Sequence, residues 1–72
     1  MGEGETDDRD EAILRVLESA EEPLGVAEIA RRTGFNKSLV WRKLKKLVAR
    51  GLVEKLVVDG RPVYRVRRTA RG

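Results

Sequence analysis

The chain has 72 residues, no cysteine, no histidine, 39% charged side chains and a formal net charge of +4. That length holds one small domain, and the missing residue types exclude a disulfide framework, a thiolate or imidazole metal site and the usual neutral-pH proton shuttle. Charge is sharply divided. Residues 1–30 carry ten acids against two bases (Arg9, Arg15), a net of −8, while residues 31–72 carry fourteen bases against Glu54 and Asp59, a net of +12, a balance that favours a polyanionic partner.

Residues 1–6 hold no apolar group able to join a core and are expected to be a disordered acidic tail, ahead of a folded unit over 7–67. From Asp7 or Asp8 a helix is expected, with acids in its first turn at the positive end of the dipole. Its apolar stripe is Ile13, Leu14, Val16, Leu17 and Ala20. Glu21-Glu22-Pro23 is expected to end it, because the residue before proline avoids the helical region. Pro23-Leu24-Gly25 should run extended and add a short third strand near Leu24.

A second helix is predicted over Val26 to Arg32, with Val26, Ile29 and Ala30 turned inward. Gly25 stands as its N-cap and Glu28 where a capping-box carboxylate would lie. Gly34 suits the left-handed residue that closes a helix, and Phe35 is expected to tuck under the turn.

Asn36 is a strong N-cap for a third helix over 37–50, and Gly51 is a matching stop. At about 100° per residue, Val40, Leu44, Leu47 and Val48 share one face, and Ser38, Arg42, Lys45, Lys46 and Ala49 lie opposite. Lys37 and Lys43 flank that polar face. Trp41, about 100° from Val40, stands at the border. It could stack on a sugar or base, close a dimer contact or cover the core flank.

Asp59-Gly60 between two apolar runs is the strongest short hairpin signal. A two-residue loop sets Val58 against Arg61, Leu56 against Val63, Lys55 against Tyr64 and Glu54 against Arg65. Pro62, with no N–H, must point its nitrogen away from the partner strand. Tyr64 is expected in the core. Residues 68–72 read as a basic flexible tail.

These elements give an α+β winged helix-turn-helix: three helices and a C-terminal β-hairpin wing. Such an order presents a basic helix to a major groove about 12 Å wide, where an arginine bonds guanine in bidentate fashion while lysines contact phosphates. Arg42 is the residue expected to read bases. Lys37, Ser38, Trp41, Lys45 and Lys46 line the same helix. Arg61 at the wing tip is expected to reach the minor groove or backbone, with Arg65, Arg67 and Arg68 adding phosphate contacts unless Glu54 holds Arg65.

The runs Val26-Ala27-Glu28-Ile29-Ala30, Thr33-Gly34-Phe35-Asn36-Lys37-Ser38-Leu39-Val40-Trp41-Arg42-Lys43-Leu44-Lys45-Lys46-Leu47, Gly51-Leu52-Val53-Glu54 and Gly60-Arg61-Pro62-Val63-Tyr64-Arg65-Val66 resemble winged helix-turn-helix transcriptional regulators. The likeness is to the small MarR-, ArsR- and IclR-like domains of archaea and bacteria. It implies that Lys37, Ser38, Trp41, Arg42 and Lys45 lie along the recognition helix and Arg61 in the wing. The sequence departs from the pattern at Leu39 and Trp41, where small polar residues are common. The layout around Gly60 to Tyr64 also resembles Z-DNA-binding winged domains, but their recognition-helix Asn and Tyr fall at Trp41 and Lys45.

The expected function is therefore non-enzymatic binding of double-stranded DNA by a small transcriptional regulator or chromatin-associated protein. Helix 37–50 would enter the major groove and the 58–61 wing would meet the minor groove or backbone. No cofactor, metal or membrane partner is implied. The expected setting is cytoplasmic and nucleoid-associated, and the absence of Gln with abundant charge leans towards a thermophile. The alternative is a protein-interaction module, with a homodimer or another protein docking on Leu39 and Trp41.

Overall fold

In the computed structural model, Asp7 opens the first helix by a reciprocal cap. Its carboxylate accepts from the Asp10 N–H at 2.9 Å, and the Asp10 carboxylate accepts from the Asp7 N–H at 3.2 Å. Two otherwise unpaired donors are satisfied at once. The structure describes residues 7–67, so both predicted tails lie outside the described residues.

Five elements follow in order: α1 (Asp8–Ser19), α2 (Val26–Thr33), α3 (Lys37–Ala49), β1 (Val53–Val58) and β2 (Arg61–Val66). This is the winged-helix order. Helix α1 stops before the Glu21-Glu22-Pro23 boundary expected from sequence. Ala20 is already extended (ψ 141°), and the Ser19 hydroxyl folds back onto the carbonyls of Arg15 and Val16. The chain leaves the helix early and brings Leu24 to the hairpin.

Helix α2 is capped by Gly25 without any side-chain bond, so the expected capping box does not form. Gly25 has no side chain to reciprocate, and Glu28 turns instead to Arg31 and to Arg32, the latter at 2.8 Å. Gly34 takes the left-handed conformation (φ 85°) that ends α2. Asn36 accepts from the Leu39 N–H at 2.8 Å and caps α3, whose last carbonyls are closed at Arg50 and left-handed Gly51.

The hairpin register is Val58 against Arg61, Val57 against Pro62, Leu56 against Val63, Lys55 against Tyr64, and Glu54 against Arg65. Both loop residues have positive φ, 54° at Asp59 and 77° at Gly60, as the tight hairpin turn requires. Across such a loop the flanking pair is hydrogen-bonded and every second pair is not, so Pro62 and Tyr64 direct their backbone polar groups outward. Tyr64 uses them: its N–H donates to Leu24 O at 2.8 Å, and its carbonyl accepts from Leu24 N–H at 2.9 Å. The expected third strand near Leu24 is reduced to this isolated bridge beside a two-stranded sheet. It is one pair long, because two residues on β2 offers only the imide nitrogen of Pro62 and the other chain enters α2.

Ile13 and Leu17 of α1, Ile29 of α2 and Val40, Leu44 and Leu47 of α3 meet Val53 and Tyr64 in the core. Phe35 packs against its edge. The Tyr64 hydroxyl titrates above its ordinary value because burial disfavours the phenolate.

Candidate nucleic-acid interface

Burying Val40, Leu44 and Leu47 fixes the rotation of α3 and leaves Lys37, Ser38, Arg42, Lys45 and Lys46 in solvent. Helix α3 contains no acid. Among the described residues, no hydrogen bond or ion pair engages the side chains of Lys37, Arg42 or Lys46. Trp41 is 48% exposed and lies outside the core cluster. The Lys45 ammonium stands 4.7 Å from the centroid of its ring. Leu39, half-buried, borders the same shallow concavity as Trp41, Arg42, Lys43, Lys45 and Lys46.

Lys43 borders that concavity too, but its ammonium is turned to the acids at the start of α1. Its side chain is only 13% exposed, with Nζ 2.8 Å from Asp7 Oδ2 and 3.5 Å from Asp10 Oδ1. On the helical wheel it lies towards the start of α1, where the capping carboxylates wait. Its hydrogen bond to Asp7 raises the lysine pKa and holds the Asp7 carboxyl at about 2. The paired acids thus consume the lysine that sequence periodicity assigned to the groove side.

One base was missed. Arg9 of α1 is exposed and borders a second open concavity together with Asn36, Lys37, Ser38 and Trp41. Its signal was being the sole base in an acidic first turn, which only the docking of α1 onto α3 makes meaningful.

In the wing, Arg61 is exposed beside Gly60 and is unpaired among the described residues. Arg65 donates from Nε to Glu54 Oε1 at 2.9 Å, the cross-strand pair that competes with a phosphate role. Arg67 is exposed, and its N–H is anchored to Leu52 O at 2.9 Å, so order continues one residue past β2. Arg68 lies outside the described residues. Val57 and Val58 near the tip are 67% and 51% exposed. Glu28, held low in pKa by Arg32 and then Arg31, keeps those two arginines engaged on α2.

Among the described residues, no cluster of His, Cys, Asp or Glu is arranged to hold a metal ion, and no helix is long and apolar enough to cross a membrane. The sequence model of the IclR helix-turn-helix domain matches residues 8–56, from the first helix into the wing. The chain belongs to the IclR helix-turn-helix family.

Solved structures place this IclR-type domain among winged helices. The PcaV transcriptional regulator of Streptomyces coelicolor, determined with its natural ligand, is 26% identical with a TM-score of 0.78, covering 88% of this chain and 46% of that one. A homodimeric winged helix-turn-helix DNA-binding domain, Mb0332 of Mycobacterium bovis, is 33% identical with a TM-score of 0.74, over 85% of this chain and 55% of that one. The apo-Zalpha domain of zebrafish PKZ is 29% identical with a TM-score of 0.78, over 85% of this chain and 94% of that one. The IclR-type domain thus spans about half the length of the two bacterial proteins. No curated protein matches it significantly.

Proposed function

We propose that this domain binds double-stranded DNA without catalysis, as the DNA-reading part of a small transcriptional regulator or chromatin-associated protein acting on the nucleoid in the cytoplasm. Helix α3 enters the major groove, Arg42 reads base edges, and Lys37, Ser38, Lys45 and Lys46 position it on phosphates. Arg61 at the wing tip meets the adjoining minor groove or backbone, with Arg67 beside it.

One observation carries this reading. Asp7 and Asp10 of the α1 start are matched to Lys43, Glu28 of α2 to Arg31 and Arg32, and Glu54 to Arg65, whereas the exposed bases of α3 face solvent without a carboxylate partner among the described residues. An uncompensated row of cations on a helix of this exposure suits a polyphosphate.

Titrating a fluorescently labelled duplex with the full chain at several salt concentrations tests it. The logarithm of affinity should fall linearly with the logarithm of salt, by about 0.9 for each phosphate neutralised. Arg42→Ala and Arg61→Ala should both weaken binding. A flat salt response overturns the reading. The competing assignment gives Leu39 and Trp41 to a second copy or another protein, and predicts self-association in sedimentation that Trp41→Ala removes.

A further inference from the structure

Trp41 is unsuited to the task of its neighbours. An intact major groove offers donors, acceptors and thymine methyls at base edges, while the flat faces of the bases are closed by stacking. An indole has one N–H donor and a broad π-face. On the exposed side of α3 that ring is half in solvent, outside the core and faced by the ammonium of Lys45 at 4.7 Å.

We propose that Trp41 is a stacking platform for an unpaired base, so that the domain favours DNA with a strand distortion over the same duplex fully paired. The inference rests on the DNA-binding reading above and names the structural class of DNA it selects. Lys45 is exposed and, among the described residues, its ammonium is held only by its contact with the ring. A phosphate of the incoming strand draws the ammonium aside, and the extruded base takes its place on the indole. The exchange is favourable, since base–aromatic stacking outweighs an exposed cation–π contact.

The surroundings select the occupant. Lys37, Arg42, Lys45 and Lys46 border the ring's concavities, and α3 carries no acid. A protein partner would have to bury those cations, whereas a nucleotide brings one phosphate for each base. Stacking tolerates any base identity, so the selection is for structure rather than sequence.

Trp41 is the only tryptophan in the chain, so its emission reports the event directly. The full chain is titrated with a labelled, fully paired duplex and with the same duplex carrying one unpaired adenine, following both label anisotropy and tryptophan emission. Affinity for the bulged duplex should be about tenfold higher, with strong quenching of Trp41. Trp41→Ala should erase the ratio between the two DNAs, and Trp41→Phe should keep part of it. Lys46→Ala should weaken both and leave the ratio intact.

Equal affinities, or a preference that survives in Trp41→Ala, overturn the inference and leave duplex binding standing. Failure to bind either DNA overturns both. Emission that ignores saturating DNA but shifts with protein concentration assigns Trp41 to a second copy and likewise overturns it.

Discussion

The ammonium of Lys43 lies 2.8 Å from the Asp7 carboxylate and 3.5 Å from that of Asp10, joining groups 36 and 33 positions apart in the chain. Asp10 is 2% exposed, and its Oδ1 has no hydrogen-bond partner within the described residues, so the nearby ammonium is its main compensation. The contact ties the start of α1 to the middle of α3 and so sets how α3 is presented.

Removing Lys43 leaves a buried carboxylate without its counter-charge. Lys43→Met should lower unfolding free energy by about 1–3 kcal/mol, less than a fully buried pair because Asp7 remains wet. Chemical denaturation followed by circular dichroism measures it. Lys46→Ala, three residues on and in solvent, should change stability by less than about 0.5 kcal/mol. If the two variants prove equally stable, the tie has no energetic role.

Acid stability follows from the same contact. The Asp7 carboxyl falls from an ordinary 3.8 to about 2 in the folded chain, chiefly through its bond to Lys43. A carboxyl with a depressed folded pKa binds fewer protons when folded, so its contribution is complete above pH 3.8 and is lost as pH falls towards about 2. Unfolding measured across that window should show a decline that Asp7→Asn flattens. Above it, the two proteins should run parallel.

The start of α3 depends on one short side chain. Asn36 accepts the Leu39 N–H at 2.8 Å, and Ala there should reduce stability by about 1 kcal/mol. For a domain of this size that is a fall of roughly 4–8 °C in melting temperature. The melt should stay cooperative. Because Asn36 adjoins Lys37 and Ser38, fraying of this turn should also weaken duplex affinity.

Most of the fold was legible because its signals are local. Asp59-Gly60 fixes loop length and thereby every pair down to Glu54 and Arg65, and Asn36, Gly34 and Gly51 mark helix limits by backbone requirements that few residues meet. The candidate site was legible in part. Periodicity separates Arg42 from Leu44, but Lys43 and Lys46 look alike until α1 docks and the Asp7 and Asp10 carboxylates capture one of them. Arg9 joins the surface through that same docking. Glu28 had two offers, a cap or the arginines one turn on, and Gly25 could not reciprocate the first. The fates of Lys43 and Arg9 are tertiary, whereas that of Glu28 is settled within α2.

The pair between Glu54 and Arg65 gives the sharpest check on where the interface ends. Its atoms are 2.9 Å apart, but the two side chains are 36% and 55% exposed, so the pair contributes at most about 1 kcal/mol to folding. Glu54→Gln should therefore leave the melting temperature nearly unchanged while releasing Arg65 and removing one repulsive charge. If the wing lies on the backbone, duplex affinity rises roughly twofold or more and the salt slope steepens by up to about 0.9. Arg65→Ala, made in the same variant, should return the slope to its starting value. A slope indifferent to both substitutions places this arginine outside the contact surface and confines the wing's contribution to its tip at Arg61.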